Sequence, residues 1–229
     1  MGFTKDTVCI VKLRNGLTFK IRRKSGDMIA LIEDFYENQY FRNKYLHFDP
    51  DLPIIDAGAH IGTFTLLVAK LYKATQIIAL EIDPDTYTSL LDNIKLNNIH
   101  SVSAKNLGLW KHKGKTDLHF VGNDTLGCSI VKNWNDHSKR VQVTTLLDVM
   151  SELKLKSVGL LKVDIEGAEY DVFYSLPVSV FKKIRNIIVE YHLSDQKQES
   201  GVALKRFLQS HGFIVKHHDS LPILFATNQ

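Results

Sequence analysis

Cysteine and long apolar segments are scarce in this sequence. Two of its 229 residues are cysteines, Cys9 and Cys128, and they form no Cys-x-x-C pair. Such usage is typical of a protein from a reducing, cytoplasmic environment. No run of about 18 apolar residues occurs, so no membrane-spanning helix is predicted. The first residues lack the apolar core of a signal peptide, and Asp6 stands where a myristoylation signal needs serine or threonine.

Charge and composition leave most functions open. The formal net charge is +4 and 44% of the residues are hydrophobic, which favours one sizeable core and a single domain over residues 1–229. The basic stretch Arg22-Arg23-Lys24 fits either a solvated turn or a contact with an acidic substrate or nucleic acid. A Gly-x-Ser-x-Gly elbow is missing, which argues against serine hydrolase chemistry.

The most informative segment is an apolar run that ends in a glycine turn and continues into a helical pattern. It reads Ile54-Ile55-Asp56-Ala57-Gly58-Ala59-His60-Ile61-Gly62, and apolar residues then recur at helical spacing up to Leu71. A strand that turns sharply into a helix places glycine backbone and helix amides beside a bound ligand. The spacing therefore predicts a nucleotide-type cofactor site.

The identity of that cofactor follows from what the turn does not contain. The dinucleotide fingerprint requires glycines at positions 58, 60 and 63, but His60 and Thr63 occupy two of them. An imidazole at position 60 would obstruct a pyrophosphate. S-adenosylmethionine has a nucleoside and no phosphate, so it is the predicted cofactor.

The next apolar run supports this interpretation. Residues 76–82 end on Glu81, about twenty residues after the glycines, where a carboxylate can accept both ribose hydroxyls in open α/β folds. Ile82 would offer an apolar surface to the adenine. Asp83 and Pro84 have the residue types of a helix N-cap and first helical position.

The order of the remaining patterns predicts an α/β, Rossmann-like, doubly wound sheet. It would have seven mostly parallel strands and a C-terminal antiparallel hairpin. Residues 1–50 form an appendage, with a hairpin about Asn15-Gly16 and a helix over 28–36, and residues 51–229 form the core. Further predicted segments are a third core strand over 101–109, an antiparallel insertion over about 115–145 with a short strand at 127–131, a helix over 146–153, strands over 158–164 and 186–192, a helix over 195–210, and terminal strands over 212–218 and 221–227.

Acidic residues follow two of these strands. If the strands are neighbours, Asp164, Glu166, Glu190 and His192 gather at one rim, where burial and crowding would raise carboxyl pKa values. A catalytic role and a helix-capping role are both compatible with this pattern. The four groups are also admissible metal ligands, but no spacing requires a metal, and none is predicted.

The segments quoted above together resemble the FkbM-type S-adenosylmethionine-dependent methyltransferases. The specific part is Leu-Lys-Val-Asp-Ile-Glu-Gly-Ala-Glu-Tyr at 161–170, with Ile-Ile-Val-Glu-Tyr-His at 187–192. The resemblance implies a class I methyltransferase fold and the placement of Asp164 and Glu166 beside the methyl-transfer centre. His60 departs from it, since the family more often has asparagine there. The predicted cofactor-binding residues are Asp56, Gly58, His60, Gly62, Glu81, Ile82 and Asn106; the predicted catalytic residues are Asp164, Glu166 and His192.

By that resemblance, the predicted acceptor is a hydroxyl on a sugar or small metabolite, with Asp164 or His192 as the base. One alternative is an RNA methyltransferase, because residues 93–98 resemble transfer-RNA guanine methyltransferases. An acidic rim would repel phosphates, so a nucleic-acid partner is disfavoured. A non-catalytic cofactor-binding or partner-binding module on the same fold is a second alternative, and an NAD-dependent enzyme is a third, disfavoured by His60. The sequence indicates no oligomeric state.

Overall fold

The computed structural model describes residues 8–37, 40, 48–122, 125–133, 137–194, 196 and 199–228. The strands are β1 (Val8–Lys12), β2 (Thr18–Arg22), β3 (Ile54–Ala57), β4 (Ile77–Leu80), β5 (Val102–Lys105), β6 (Gly108–Leu109), β7 (Gly114–Phe120), β8 (His137–Thr144), β9 (Val158–Val163), β10 (Ile184–Glu190), β11 (Phe213–His217) and β12 (Ile223–Asn228). The helices are α1 (Asp27–Leu31), α2 (Thr63–Leu71), α3 (Pro84–Leu96), α4 (Leu146–Glu152), α5 (Glu169–Ser175), α6 (Val178–Phe181) and α7 (Gly201–Ser210), and a π-helical segment spans Ile32–Glu37.

A seven-stranded sheet runs through the middle of the molecule. Its order is β11-β12-β10-β9-β3-β4-β5, with β10, β9, β3, β4 and β5 parallel and β12 antiparallel to both neighbours. The predicted fold class is therefore confirmed. Every residue of β3, β4 and β9 is buried, as expected for parallel strands covered on both faces.

The helix that follows β4 begins and ends where its residue types predict. Asp83 is the N-cap, and its side chain accepts a hydrogen bond from the Thr86 amide, while Pro84 occupies the first helical position. Asn97 closes the helix, and Asn98 takes a left-handed conformation with φ of 53°. The N-cap of α3 therefore lies two residues after Glu81, the acidic residue that follows β4.

The N-terminal hairpin forms at the predicted place and packs on the core. β1 and β2 pair in antiparallel register, and Phe19 and Ile21 of β2 lie in one apolar cluster with Ile61 and Leu66. The predicted helix over 28–36 is divided into α1 and the π-helical segment. Of the appendage predicted over 1–50, residues 1–7, 38–39 and 41–47 lie outside the described part of the chain.

Two asparagine side chains of α3 are hydrogen-bonded to the backbone of β2. Asn93 accepts from the Lys20 amide at 2.7 Å and donates to the Lys20 carbonyl at 3.2 Å. Asn97 does the same to Thr18, at 2.8 Å and 2.7 Å. The side chains of a helix therefore pair with the edge of β2 in the way a neighbouring strand would.

The predicted antiparallel insertion is a separate three-stranded sheet. β7 and β8 are antiparallel, and β6 joins β8 in parallel. The strand predicted over 127–131 is reduced to one bridge between His119 and Ser129. The single strand predicted over 101–109 was wrong, because the chain leaves the central sheet after β5 and enters the small sheet at β6.

The helix predicted over 195–210 begins later than expected. Ser200 is its N-cap and accepts from the Ala203 amide, so α7 starts at Gly201. Residues 195, 197 and 198 lie outside the described part. Within the residues that the structure describes, no helix combines the length and apolarity needed to cross a bilayer.

Candidate active site

A cleft opens at the carboxyl ends of β3, β4 and β9. It contains about 630 Å³ of empty space, part of it open to solvent. Six of the predicted site residues line it: Gly58, His60, Glu81, Ile82, Asp164 and Glu166. Asp56, Gly62, Asn106 and His192 are not among its lining residues.

Glu81 is held in the cleft by the backbone on both sides. Its Oε2 accepts from the His60 amide and its Oε1 from the Asp83 amide, both at 2.8 Å. Burial raises the pKa of Glu81 to about 7, although the two amide hydrogen bonds act in the opposite direction. Each oxygen keeps one lone pair, so the carboxylate can still accept hydroxyl donors from a ligand.

Gly58 is required by a close approach of two strands. It has φ of 79°, and a Cβ there would lie 1.7 Å from the carbonyl oxygen of Asp164. Gly62, with φ of 92°, instead allows α2 to pack, since a Cβ would come within 2.7 Å of Leu90. Both glycines are therefore needed for packing, and of the two, Gly58 also lines the cleft.

Asp56 lies beneath the glycine turn rather than in the cleft. It is fully buried, and its Oδ2 accepts from the Thr65 hydroxyl at 2.5 Å. Its Oδ1 lies 3.6 Å from the Lys162 ammonium. The Asp56 side chain therefore holds β3 to α2 and to β9, and its predicted contact with a cofactor stays a prediction.

His60 is turned toward the N-terminal segment. Its backbone has φ of 49°, and its Nε2 lies 3.0 Å from the Thr125 hydroxyl and 3.5 Å from Asp27 Oδ1. Burial lowers the pKa of His60 to about 4, so the ring is neutral at physiological pH. The ring forms one wall of the cleft while its amide holds Glu81.

One end of the cleft is apolar. Ile82, Leu118, Cys128 and Ile130 belong to one apolar cluster, and Leu107, Gly108 and Leu109 continue the wall. Asn106 contributes indirectly, because its side-chain amide donates to the carbonyls of Glu81 and Ile82 at 2.8 Å and 3.0 Å. It shapes the chain after β4 instead of lining the cleft.

A lysine missing from the predicted site residues lies at the centre of the acidic groups. Lys162 is 3% exposed, and its Nζ donates to the Gly58 carbonyl at 3.0 Å and to Asp164 Oδ2 at 3.3 Å. Burial would lower the pKa of Lys162, but Asp164, Asp56 and other nearby carboxylates raise it above its ordinary value. A charged side chain within an otherwise apolar strand was the signal available in the sequence.

Asp164 and Glu190 share the hydroxyl of Tyr40. The phenol oxygen lies 3.2 Å from Asp164 Oδ2 and 3.1 Å from Glu190 Oε2. Burial alone would raise the pKa of Asp164, but Lys162 and His192 hold it below its ordinary value. Burial and the Asp164 charge raise the pKa of Glu190 to about 8. A phenol has one proton, so a protonated Glu190 that donates to Tyr40, while Tyr40 donates to Asp164, satisfies all three groups.

Glu166 and His192 form a second pair at the rim. The chain leaves the strand after Val163, and Glu166 takes a left-handed conformation with φ of 56°. Asp164 and Glu166 are therefore not alternate residues of one extended strand. Glu166 Oε2 lies 3.3 Å from His192 Nε2, and Glu169 Oε1 lies 2.9 Å from His192 Nδ1.

The two carboxylates keep His192 charged. Burial would lower the pKa of His192, but its hydrogen bonds to Glu166 and Glu169 and their charges raise it to about 11. Glu169 is fully buried and also accepts from the amides of Ile165 and Gly167. Glu169 belongs to the sequence block at 161–170, but its contact with His192 was not predicted.

The metal interpretation left open by the sequence has a geometric basis. Asp164, Glu190 and His192 each offer one ligand atom, and these atoms lie within 4.8 Å of one another. A cation there would compete with the Lys162 ammonium beside Asp164 and with the proton on His192. The protein's own charges therefore already balance part of the rim.

The basic stretch at residues 22–24 is partly neutralised within the chain. Arg22 donates to both oxygens of Asp27, at 3.0 Å and 2.7 Å. Asp27 is fully buried. Arg22 therefore positions the N-terminal segment and is not displayed for an acidic partner.

Comparison with known proteins supports one family. The model of the methyltransferase FkbM domain matches residues 56–215. "Methyltransferase 1" of Beauveria bassiana (strain ARSEF 2860) is 36% identical over 188 residues, which are 73% of this chain and 74% of that protein. "31-O-demethyl-FK506 methyltransferase FkbM" of Streptomyces tacrolimicus is 22% identical over 239 residues, with 92% of this chain and 90% of that protein covered.

A solved structure shows the same fold. The crystal structure of methyltransferase FkbM from Methylobacillus flagellatus KT superposes with a TM-score of 0.59 at 15% identity. The match covers 83% of this chain and 47% of that protein, so the chain spans about half of the crystallised relative. The family match includes the glycine turn, Glu81 and the block around Asp164. The chain belongs to the FkbM methyltransferase family.

Proposed function

We propose that this methyltransferase transfers the methyl group of S-adenosylmethionine to a hydroxyl of a small molecule or sugar. The observation that carries the proposal is one cleft that is lined by Glu81, by apolar residues, by Gly58 and by Asp164. The carboxylate expected to bind the ribose, Glu81, and the expected proton acceptor, Asp164, thus line the same space.

The cleft fits the nucleoside part of the cofactor. The apolar wall at Ile82 and residues 107–109 suits an adenine, and the Glu81 carboxylate, fixed by two backbone amides, suits the ribose hydroxyls. Gly58 keeps the space beside the Asp164 carbonyl free of a side chain. When bound, S-adenosylmethionine supplies an activated methyl group on its sulfonium.

The remaining requirement is an aligned, deprotonated acceptor oxygen. We assign the base role to Asp164 and not to His192. The pKa of Asp164 lies below its ordinary value, so it is ionised, whereas the pKa of His192 is raised to about 11 and its ring already carries a proton. Glu166 lines the cleft next to Asp164 and can orient the acceptor.

Support for an oxygen acceptor comes from a relative and from charge. The Streptomyces tacrolimicus relative is named as a 31-O-demethyl-FK506 methyltransferase. The ionised carboxylate of Asp164 at the rim disfavours the negatively charged phosphodiester backbone of RNA. We therefore place a neutral, hydroxyl-bearing small molecule ahead of RNA.

A labelling experiment tests the reaction and its acceptor. The protein is incubated with methyl-labelled S-adenosylmethionine and fractionated cell extract, and label in small metabolites or glycans supports the proposal. Label in RNA, or cofactor binding with no transfer to any fraction, would contradict it.

A variant tests the base. Asp164→Asn should lower turnover by about 10²- to 10⁴-fold, because the carboxylate that accepts the proton is replaced by an amide of the same size. The amide oxygen can still accept from Lys162 and Tyr40, so calorimetry should give a cofactor Kd close to that of the wild type. Asp117→Asn is the matched control, since Asp117 is 49% exposed and pairs with Arg140 on the surface. Turnover of Asp164→Asn equal to that of the control would remove Asp164 from the base role.

A further inference from the structure

A second cavity adjoins the cleft on the side of the N-terminal segment. It contains about 320 Å³ of empty space. Asp34 and Tyr40 line it from one side, and Thr63 and Lys162 line it from the core. Gly58, His60, Leu126 and Asp164 line both this cavity and the cleft, so the two spaces meet at the glycine turn.

Asp34 has an unusual environment in this cavity. It is 6% exposed, and Thr63 is a side-chain hydrogen-bond partner of its carboxylate. Its Oδ1 is buried and has no hydrogen-bond partner among the described residues. A buried carboxylate oxygen without a donor is costly, and native structures usually satisfy such an atom with a ligand or water.

Among the residues that the structure describes, no cationic side chain supplies that donor. Lys162 acts on Asp34 electrostatically, but its hydrogen bonds go to the Gly58 carbonyl and to Asp164. Burial raises the pKa of Asp34 to about 7, which a cationic ligand would reverse. Asp34 also lies in a π-helical segment, a distortion that is frequent at functional sites.

We propose that Asp34 binds the α-ammonium group of the S-adenosylmethionine tail, so that the N-terminal segment completes the cofactor site. This inference rests on the proposed function. With the adenosine against Ile82 and Glu81, the cavity that shares Gly58 and Asp164 with the cleft is the adjoining space available to the tail. Asp34 is outside residues 56–215, so the family match gives it no role.

The experiment compares two cofactor-derived ligands by calorimetry. S-adenosylhomocysteine has the amino-acid tail, and 5′-methylthioadenosine lacks it. Asp34→Asn should weaken S-adenosylhomocysteine binding by about tenfold or more, the loss expected for a charge-assisted hydrogen bond, and leave 5′-methylthioadenosine binding unchanged. Asp117→Asn, which removes a half-exposed carboxylate, should change neither affinity.

The outcomes separate this inference from the proposed function. Equal weakening of both ligands would mean that Asp34 acts through the fold, and an unchanged S-adenosylhomocysteine affinity would mean that it makes no contact; either result overturns the inference and leaves the proposed function standing. If the unmodified protein binds neither ligand, both fail. If Asp34→Asn does not fold, the unmodified protein decides: equal affinity for S-adenosylhomocysteine and its analogue without the amino group would overturn the inference.

Discussion

Replacing Lys162 with methionine tests the charge balance of the active site. The substitution keeps an unbranched, apolar stem and removes the ammonium group. In the structure this group, on a side chain that is 4% exposed, lies 3.3 Å from Asp164 and 3.6 Å from Asp56. Its loss leaves both carboxylates without their nearest cation.

The expected loss of stability is large. Removing one partner from a buried ion pair typically costs about 3–5 kcal/mol. Domains of this kind have unfolding free energies of about 5–15 kcal/mol, so the variant should still fold unless the wild type lies at the low end of that range. Adding Asp164→Asn to Lys162→Met should return part of the loss, with a coupling of about 1–3 kcal/mol, because one stranded charge is removed.

The loss should depend on pH. In the wild type the pKa of Asp164 is lowered, so its contribution to stability is present above its ordinary value of 3.8 and lost only as the pH falls through the folded value. Without Lys162, burial dominates and raises this pKa, so protonation near pH 5 relieves the penalty that an ionised Asp164 suffers near pH 8. Lys162 itself is charged at both values, since its pKa is raised from 10.5.

Urea unfolding followed by circular dichroism near pH 5 and pH 8 checks this reasoning. The difference between wild type and Lys162→Met should be larger near pH 8. A loss below about 1 kcal/mol, or an equal loss at both pH values, would refute the conclusion that this lysine balances the buried carboxylates.

Three other predictions concern Gly58 in the glycine turn, Glu81 as the residue that binds the ribose, and His192 at the rim. Gly58→Ala should destabilise the protein at least twice as much as Gly16→Ala in thermal unfolding. A Cβ at Gly58 would lie 1.7 Å from the Asp164 carbonyl oxygen, whereas nothing lies within 4 Å of a Cβ at Gly16. Similar losses of stability in the two variants would mean that the positive φ, at about 1–2 kcal/mol, is the whole cost. Glu81→Gln should weaken S-adenosylmethionine binding by about tenfold or more in calorimetry, and unchanged affinity would contradict the ribose assignment. The pKa of His192 is raised from 6.5 to about 11, so its ring should give imidazolium resonances in NMR spectra at neutral pH. The ion pair of His192 with Glu166 and Glu169 stabilises the fold fully below pH 6.5, and this stabilisation is lost as the pH rises toward 11. An NMR titration midpoint near pH 6.5 would contradict this prediction.

The parts of the site that sequence could predict are those encoded within one strand and its turn. Gly58 and Glu81 each come directly after an apolar run, where a glycine or an acidic residue predicts the end of a buried strand. Asp164 follows the same rule at the end of β9. Local patterns specify such positions because the carboxyl ends of parallel strands meet at one edge of the sheet.

Contacts between distant segments could not be predicted in this way. Tyr40 meets Glu190 across 150 positions of the chain, and Lys162 meets the Gly58 carbonyl across 104. The periodicity of apolar residues indicates which face of a helix or strand is buried, but it does not indicate which polar atoms of distant segments its side chains contact. Asp56 illustrates the limit, since its position suggested a cofactor contact while its oxygens face Thr65 and Lys162.

The paired asparagines of α3 make the hairpin and this helix interdependent. Four residues of an α-helix advance about 6 Å and two residues of a strand about 6.8 Å, so Asn93 and Asn97 match Thr18 and Lys20 in pitch. Deleting one residue between the two asparagines would rotate one of them away and leave half of the β2 edge unprotected. When the N-terminal hairpin is exchanged between relatives, we therefore expect these hydrogen bonds to be kept only where the recipient helix carries two asparagines at the same spacing.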